Sequence, residues 1–230
     1  MAFIIEIVKR LSDNIYLNLI REDRYLFFIK GLGISLEITL IAAIIGGIIG
    51  LLVAFARLTN NKILSGIATK YIDVIRGTPA VVQLLIIYFA VFGSSSLNRI
   101  FVAGIAFGIN SGAYVAELIR AGIQAVDKGQ MEAGRSIGLS YPQTMVYIII
   151  PQAVKNILPA MVNEIIVLWK ETAIVGLIGI DDLTRAANIV RGRTYSPYTP
   201  YLIIALIYFY ITVILTAFLG KVERRMRQGD

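Results

Sequence analysis

Long apolar runs, interrupted at a few points by charge, glycine and proline, set the pattern of this chain. Residues 38–56 ("ITLIAAIIGGIIGLLVAFA") hold Thr39 as their only polar side chain, and residues 201–219 ("YLIIALIYFYITVILTAFL") are of similar character. A helix crosses the ~30 Å hydrocarbon core with about 20 such residues, each rising ~1.5 Å, so both runs predict membrane spans. Three weaker runs lie between them. Residues 79–92 ("PAVVQLLIIYFAVF") reach span length by extending backward through 72–75. Residues 100–119 are long enough, with Asn110 and Glu117 as polar intrusions. Residues 147–168 carry Pro151, Lys155, Asn156, Pro159 and Glu164, which predicts a span broken or bent at its prolines. The pattern is that of an all-α membrane protein with about five transmembrane helices.

The first 30 residues differ from the spanning region, 31–230. Ile4, Ile5, Val8, Leu11, Ile15 and Leu19 recur at three- and four-residue steps among Lys9, Arg10, Asp13, Asn14 and Arg21. That spacing predicts an amphipathic helix, either lying on the bilayer surface or flanking the first span. Glu6 interrupts the opening apolar patch, which argues against a cleavable signal peptide.

Composition agrees with the runs. Of 230 residues, 57% are hydrophobic and 16% charged, with a mean hydropathy of +0.74; soluble domains average roughly 45–50% and about 25%. There is no cysteine and no histidine, so thiol nucleophiles, imidazole acid–base chemistry and the usual zinc or haem ligands are excluded together. The net charge of +7 fits basic loops beside anionic headgroups rather than nucleic acid. Charge does not settle orientation. Basic residues after the first and third spans and in the tail (Arg57, Lys62, Arg120, Lys128, Lys221) are nearly matched by Lys9, Arg24, Lys30, Lys170, Arg185 and Arg193 on the other side.

One interspan segment is neither span nor ordinary loop: "MEAGRSIGLSYPQTMVYIIIPQAV", residues 131–154. A short helix from about 130 to 139 would present Ala133, Gly134 and Ser136 for close approach, with Met131 and Ile137 as apolar contacts. Glu132 and Arg135 would stand one turn apart. Gly138 suits a helix C-terminus and Pro142 the first turn of the next helix. Such an element can dock in a partner's cleft and move as a rigid body.

The spacing Glu132, Ala133, Gly134, Gly138, Ile148, Ile150, Pro151 resembles the "EAA" loop of permease subunits of ATP-binding-cassette importers. Gly134 replaces the second alanine and Ile150 the leucine. The stretches "FIKGLGISLEITL", "IRGTPAVVQLLIIYF", "GAYVAELIRAGIQAV" and "LWKETAIVGLIGIDDLT" look like the polar amino acid uptake branch of that family. The resemblance implies a multi-pass subunit of the bacterial cytoplasmic (inner) membrane that is not itself an enzyme. Residues 128–142 would form a cytoplasmic coupling loop, with Glu132, Ala133, Gly134, Arg135 and Gly138 as coupling residues. The expected partners are an ATPase subunit, a second permease subunit in identical copy, an extracellular or periplasmic binding protein, and membrane lipid. No Gly-x4-Gly-Lys-Ser/Thr loop occurs, so this chain would bind no cofactor, and ATP and Mg would belong to the ATPase.

Ionisable groups inside spans are costly and therefore functional candidates. Glu164, beyond two prolines and next to Asn163, is the leading substrate-facing carboxylate, the alternative being a helix–helix hydrogen bond; Asn110, Ser111 and Asn163 would then address the substrate's α-amino and α-carboxylate groups. Glu117 is a further candidate, against a structural ion pair with Arg120. A carboxylate can hold a guanidinium through paired hydrogen bonds, which predicts a cationic amino acid; glutamine is the alternative. Gly46 and Gly50 in the first span, and Gly104, Gly108 and Gly112 in the third, form small-residue stripes that favour helix packing over pore lining, a homodimer interface also being open. "RGTP" (residues 76–79) would shape a helix start or gate, and "KET" (residues 170–172) could meet a binding protein. A self-contained secondary transporter or channel should show an internal repeat, and none is evident. An intramembrane enzyme would need a catalytic constellation, and no signature of one occurs.

Overall fold

The computed structural model describes residues 2–227. Among them helix is the only regular secondary structure. Helix α1 (Ala2–Ile15) leads through two irregular turns into α2 (Tyr25–Leu58), and α3 (Lys62–Arg76) and α4 (Ala80–Ile86) follow. Then come α5 (Arg99–Gln124), α6 (Lys128–Ser136), α7 (Tyr141–Thr144), α8 (Ile150–Glu171), α9 (Leu183–Thr194) and α10 (Thr199–Arg227). Four continuous segments are long and apolar enough to cross a membrane: α2, α5, the run from Tyr141 to Ile178, and α10 up to Phe218.

The fifth span departs from expectation. Residues 72–75 do not extend α4 backward but end α3, which meets α4 at an angle of 105°. Gly77 closes α3 by donating to the Asp73 carbonyl, and Pro79 begins α4 from an extended conformation. Proline disfavours the helical region for the residue before it, so the chain breaks at Thr78–Pro79. The break expected at Pro151 and Pro159 is absent. Pro151 follows directly on a single wide turn of the same continuous segment, in the first turn of α8, and Pro159 lies within a helix that continues past it. That wide turn, at Met145–Ile149, joins α7 to α8.

The centre of the bundle is the α2–α5 pair, and here the glycine stripes find their purpose. A Cβ on Gly104, Gly108 or Gly112 would lie 2.4, 2.6 or 2.7 Å from the Cγ2 of Ile41, Ile45 or Ile49. In return, Gly46 and Gly50 of α2 receive Ser111 and Val115 of α5. Each helix thus supplies both knobs and holes within one chain, as close packing in an apolar medium requires. Phe107, Ile38, Leu84 and Leu168 fill the core beside this seam. A second cluster, built on Phe28, Leu183, Ala187 and Val190, seats α9 against the start of α2.

Asn18 ties the N-terminal segment to the end of α9. Asn18, fully buried, donates to the Asn14 carbonyl and the Ser196 hydroxyl and accepts from Thr194. Glu22 and Asp23 then turn the chain with positive φ, and Arg24 ties the turn to the Leu17 carbonyl and to Glu22. The expected apolar stripe can be followed at Ile15, which is exposed, and Leu19, which packs on the second cluster. The side chains of Ile4, Ile5, Val8 and Leu11 lie outside the described ones.

Candidate functional site

Two sites emerge, one inside the bundle and one at its end. In the bundle, Ser111 on α5 donates to Glu164 Oε1 on α8 at 2.9 Å. The serine is buried because α5 lies against the α2 glycines, and Glu164 is half-buried. Glu171, seven residues further along α8, falls on the same helix face, ~10 Å up the axis; it too is half-buried. Neither carboxylate has a basic partner among the described ion pairs. Carboxylates withdrawn from water need a cation or several donors to stay charged.

The other expected substrate residues separate. Asn163 is exposed beside Glu164. Asn110 is buried, its amide donating to Gln83 Oε1 at 3.0 Å. Glu117 bridges two helices: Arg57 on α2 donates to it at 2.6 Å, and Arg120 binds it on its own helix. All three side chains are about four-fifths buried. A carboxylate already shared by two guanidiniums has little left for a substrate, so the geometry favours the ion pair. Gln83 was not singled out by sequence reasoning, and Glu171 entered only as part of the "KET" stretch, read as a contact for a binding protein. The signal was there: Gln83 is the only side-chain amide in its apolar run, and Glu171 stands seven residues from Glu164.

The second site is α6. Asp127 caps its start, accepting from the Gly129 N–H at 2.7 Å. Gly138 ends it with φ +92°, Leu139 N–H returning to the Gly134 carbonyl and Gly138 N–H to that of Arg135. That paired closure needs a left-handed residue at the helix end, which glycine supplies. Ser140 and Gln143 then cap each other across the start of α7, with Pro142 in its first turn. The segment is therefore rigid at both ends. Gly134 is buried, and a methyl there would meet Thr144 Cγ2 at 2.5 Å, so close packing explains the missing second alanine. Glu132, Ala133, Arg135 and Gly138 are exposed, and Ile137 is 77% exposed. Met131, expected on the outer face, packs inward against Val126, Ile149 and Ala153. Arg135 donates to the Leu139 carbonyl, adding a further tie at the helix end.

The model of binding-protein-dependent transport system inner membrane components matches residues 46–228. The chain belongs to that family. It is 43% identical over 207 residues to the arginine transport system permease protein ArtQ of Bacillus subtilis, covering 89% of this chain and 94% of the relative. It is 45% identical to a putative glutamine transport system permease protein, GlnP, of Rickettsia typhi, covering 88% and 94%. A solved amino acid ATP-binding-cassette transporter with histidines superposes with a TM-score of 0.83 at 49% identity, over 87% of this chain and 94% of that one. The methionine transporter MetNI, in an inward-facing conformation, shares the fold at 18% identity with a TM-score of 0.77. As a family member this chain is a multi-pass permease component of the inner membrane, not an enzyme.

Proposed function

We propose that this permease imports a cationic amino acid, with arginine the first candidate, by alternating access. The observation that carries the reading is the Ser111–Glu164 hydrogen bond, which holds a half-buried carboxylate in the bundle with no basic partner among the described ion pairs. Glu164 would accept the guanidinium or ammonium group of the substrate in place of a protein cation. Ser111 would orient the carboxylate, Asn163 would address the substrate's backbone groups, and Glu171 would extend the negative face along the path. The relative named for arginine transport supports the same class.

The energy comes from a separate ATPase carrying ATP and Mg, docked on α6 through Glu132, Ala133, Arg135 and Ile137. A helix capped at both ends transmits displacement instead of absorbing it. A second, identical permease would complete the translocation path, and an extracellular or periplasmic binding protein would deliver substrate. The segment before α2 would rest at the bilayer surface. Glutamine is the second reading, favoured by the relatives named for it, since Glu164 can also accept an amide N–H. Uptake into proteoliposomes with Glu164→Gln separates the two. A cationic site predicts that arginine uptake falls at least tenfold more than glutamine uptake, a charge-assisted pair being worth ~1.5–3 kcal/mol. Equal losses, or no loss, would refute the charge argument.

A further inference from the structure

The broken span creates a problem that one side chain solves. With α3 closed at Gly77 and no N–H on Pro79, the carbonyls around the break lack helical donors. Gln83, buried on α4, supplies them. Its Nε2 lies 2.7 Å from the Ile75 carbonyl, 3.1 Å from the Thr78 carbonyl and 2.7 Å from the Thr78 hydroxyl. The amide nitrogen is thereby held at the elbow, so the amide oxygen faces α5 and accepts from Asn110. Stapling the break would need only the nitrogen. The oxygen makes a second connection.

The other arm of the elbow reaches the neighbouring residue. Tyr71, on α3, donates its hydroxyl to the Ile109 carbonyl at 2.5 Å, and it packs against the cluster of Ala54, Ile72, Ala113 and Ala116. Both sides of a 105° break therefore grip α5 at consecutive positions, Ile109 and Asn110. The next residue is Ser111, whose hydroxyl holds Glu164. On its other side Ser111 is pressed against Gly46, where a methyl would stand 3.0 Å from its Cβ. The short stretch from 109 to 111 is thus fixed by α2 behind it and by the elbow.

We propose that Tyr71 and Gln83 are positioning residues for transport: the elbow clamps 109–111 and so sets where Ser111 presents the Glu164 carboxylate to the substrate. The inference rests on the carboxylate reading above, and its test keeps the two apart. When the elbow angle changes, the clamp moves Ser111 with it and weakens the grip on substrate. Binding and release thereby become linked to the shape of the broken span.

The test uses the permease co-purified with an amino acid ATPase subunit. Equilibrium binding of radiolabelled arginine and of glutamine is measured without the binding protein, alongside thermal stability. Tyr71→Phe removes one hydroxyl, Gln83→Met removes both connections at similar length, and Asn110→Ala removes only the link to α5. The expected result is about tenfold weaker arginine binding in each, within the range of ordinary coupling between sites, while co-purification is retained. The double variant Gln83→Met/Asn110→Ala should bind no more weakly than the worse single one, because both act through one connection. A lowered melting temperature with unchanged affinity would make the elbow purely structural and overturn the inference. Additive losses would do the same, since Asn110 would then act on substrate independently of Gln83. Glu164→Gln runs in parallel: if it leaves arginine binding intact while the elbow variants weaken it, the carboxylate reading fails and with it the route through Glu164 proposed here, whereas weakened binding in Glu164→Gln with unchanged binding in the elbow variants overturns the clamp alone.

Discussion

Replacing Gly108 with alanine tests the packing of the central helix pair. The added methyl would stand 2.6 Å from Ile45 Cγ2, 2.7 Å from Ile45 Cβ and 3.4 Å from the Ala42 carbonyl oxygen. Carbon atoms pack at about 3.5–4.0 Å, so something must retreat by on the order of 1 Å. Ile45 cannot do so by rotation, because its Cβ is fixed to the backbone and a β-branched side chain in a helix has one strongly preferred χ1. The helices must part. Parting them also loosens the Ile41–Gly104 and Ile49–Gly112 contacts. Overpacking of this kind costs about 1–3 kcal/mol, offset by the ~1 kcal/mol that alanine gains over glycine in a helix, for a net loss of about 0–2 kcal/mol. Gly47, on the same helix as Ile45, has nothing within 4 Å of its virtual Cβ, so Gly47→Ala should be neutral or stabilising by up to ~1 kcal/mol. Denaturant titration of the detergent-solubilised protein, followed by fluorescence of the single, fully buried Trp169, reads both. A triple variant at 104, 108 and 112 should cost less than the sum of its singles, since one separation accommodates all three methyls. Gly108→Ala as stable as Gly47→Ala, or more stable than the wild type, would refute the reasoning.

Other expectations follow from the caps. Gly138→Ala places a side chain at φ +92°, a left-handed strain of about 1–2 kcal/mol. It should fray the end of α6, visible as faster hydrogen exchange at 134–139 and reduced co-purification with an ATPase. Asp182, fully buried, caps α9 through the Thr184 and Arg185 N–H groups, so Asp182→Ala should cost about 1 kcal/mol. Burial raises its carboxyl above the ordinary value, against hydrogen bonds that lower it. A raised folded value means that the charged form opposes folding. This contribution to stability therefore improves as pH falls through the folded value and levels off below the unfolded one. Asp182→Asn keeps a capping oxygen without the charge and should lose that pH dependence in thermal denaturation.

Much of this protein is local and was legible along the chain. The span lengths, the small-residue stripes, and the cap and turn residues of the α6 segment depend on neighbours within one or two helical turns. Sequence periodicity records such relations directly. Even the rigid closure at Gly138 could be read from residue type and spacing. The break in the second span was locally encoded at Gly77–Pro79, yet its apolar content read as continuity, because hydropathy counts side chains and ignores the missing N–H. The tertiary structure alone decided which groups meet. Asn110 turns to Gln83, Glu117 to Arg57 on another helix, and Ser111 to Glu164, across separations of 27, 60 and 53 residues. In an apolar interior each polar atom takes whichever partner the packing brings within ~3 Å. That packing is set here by glycines of α2 and α5, whose facing direction emerges only when both helices are in place.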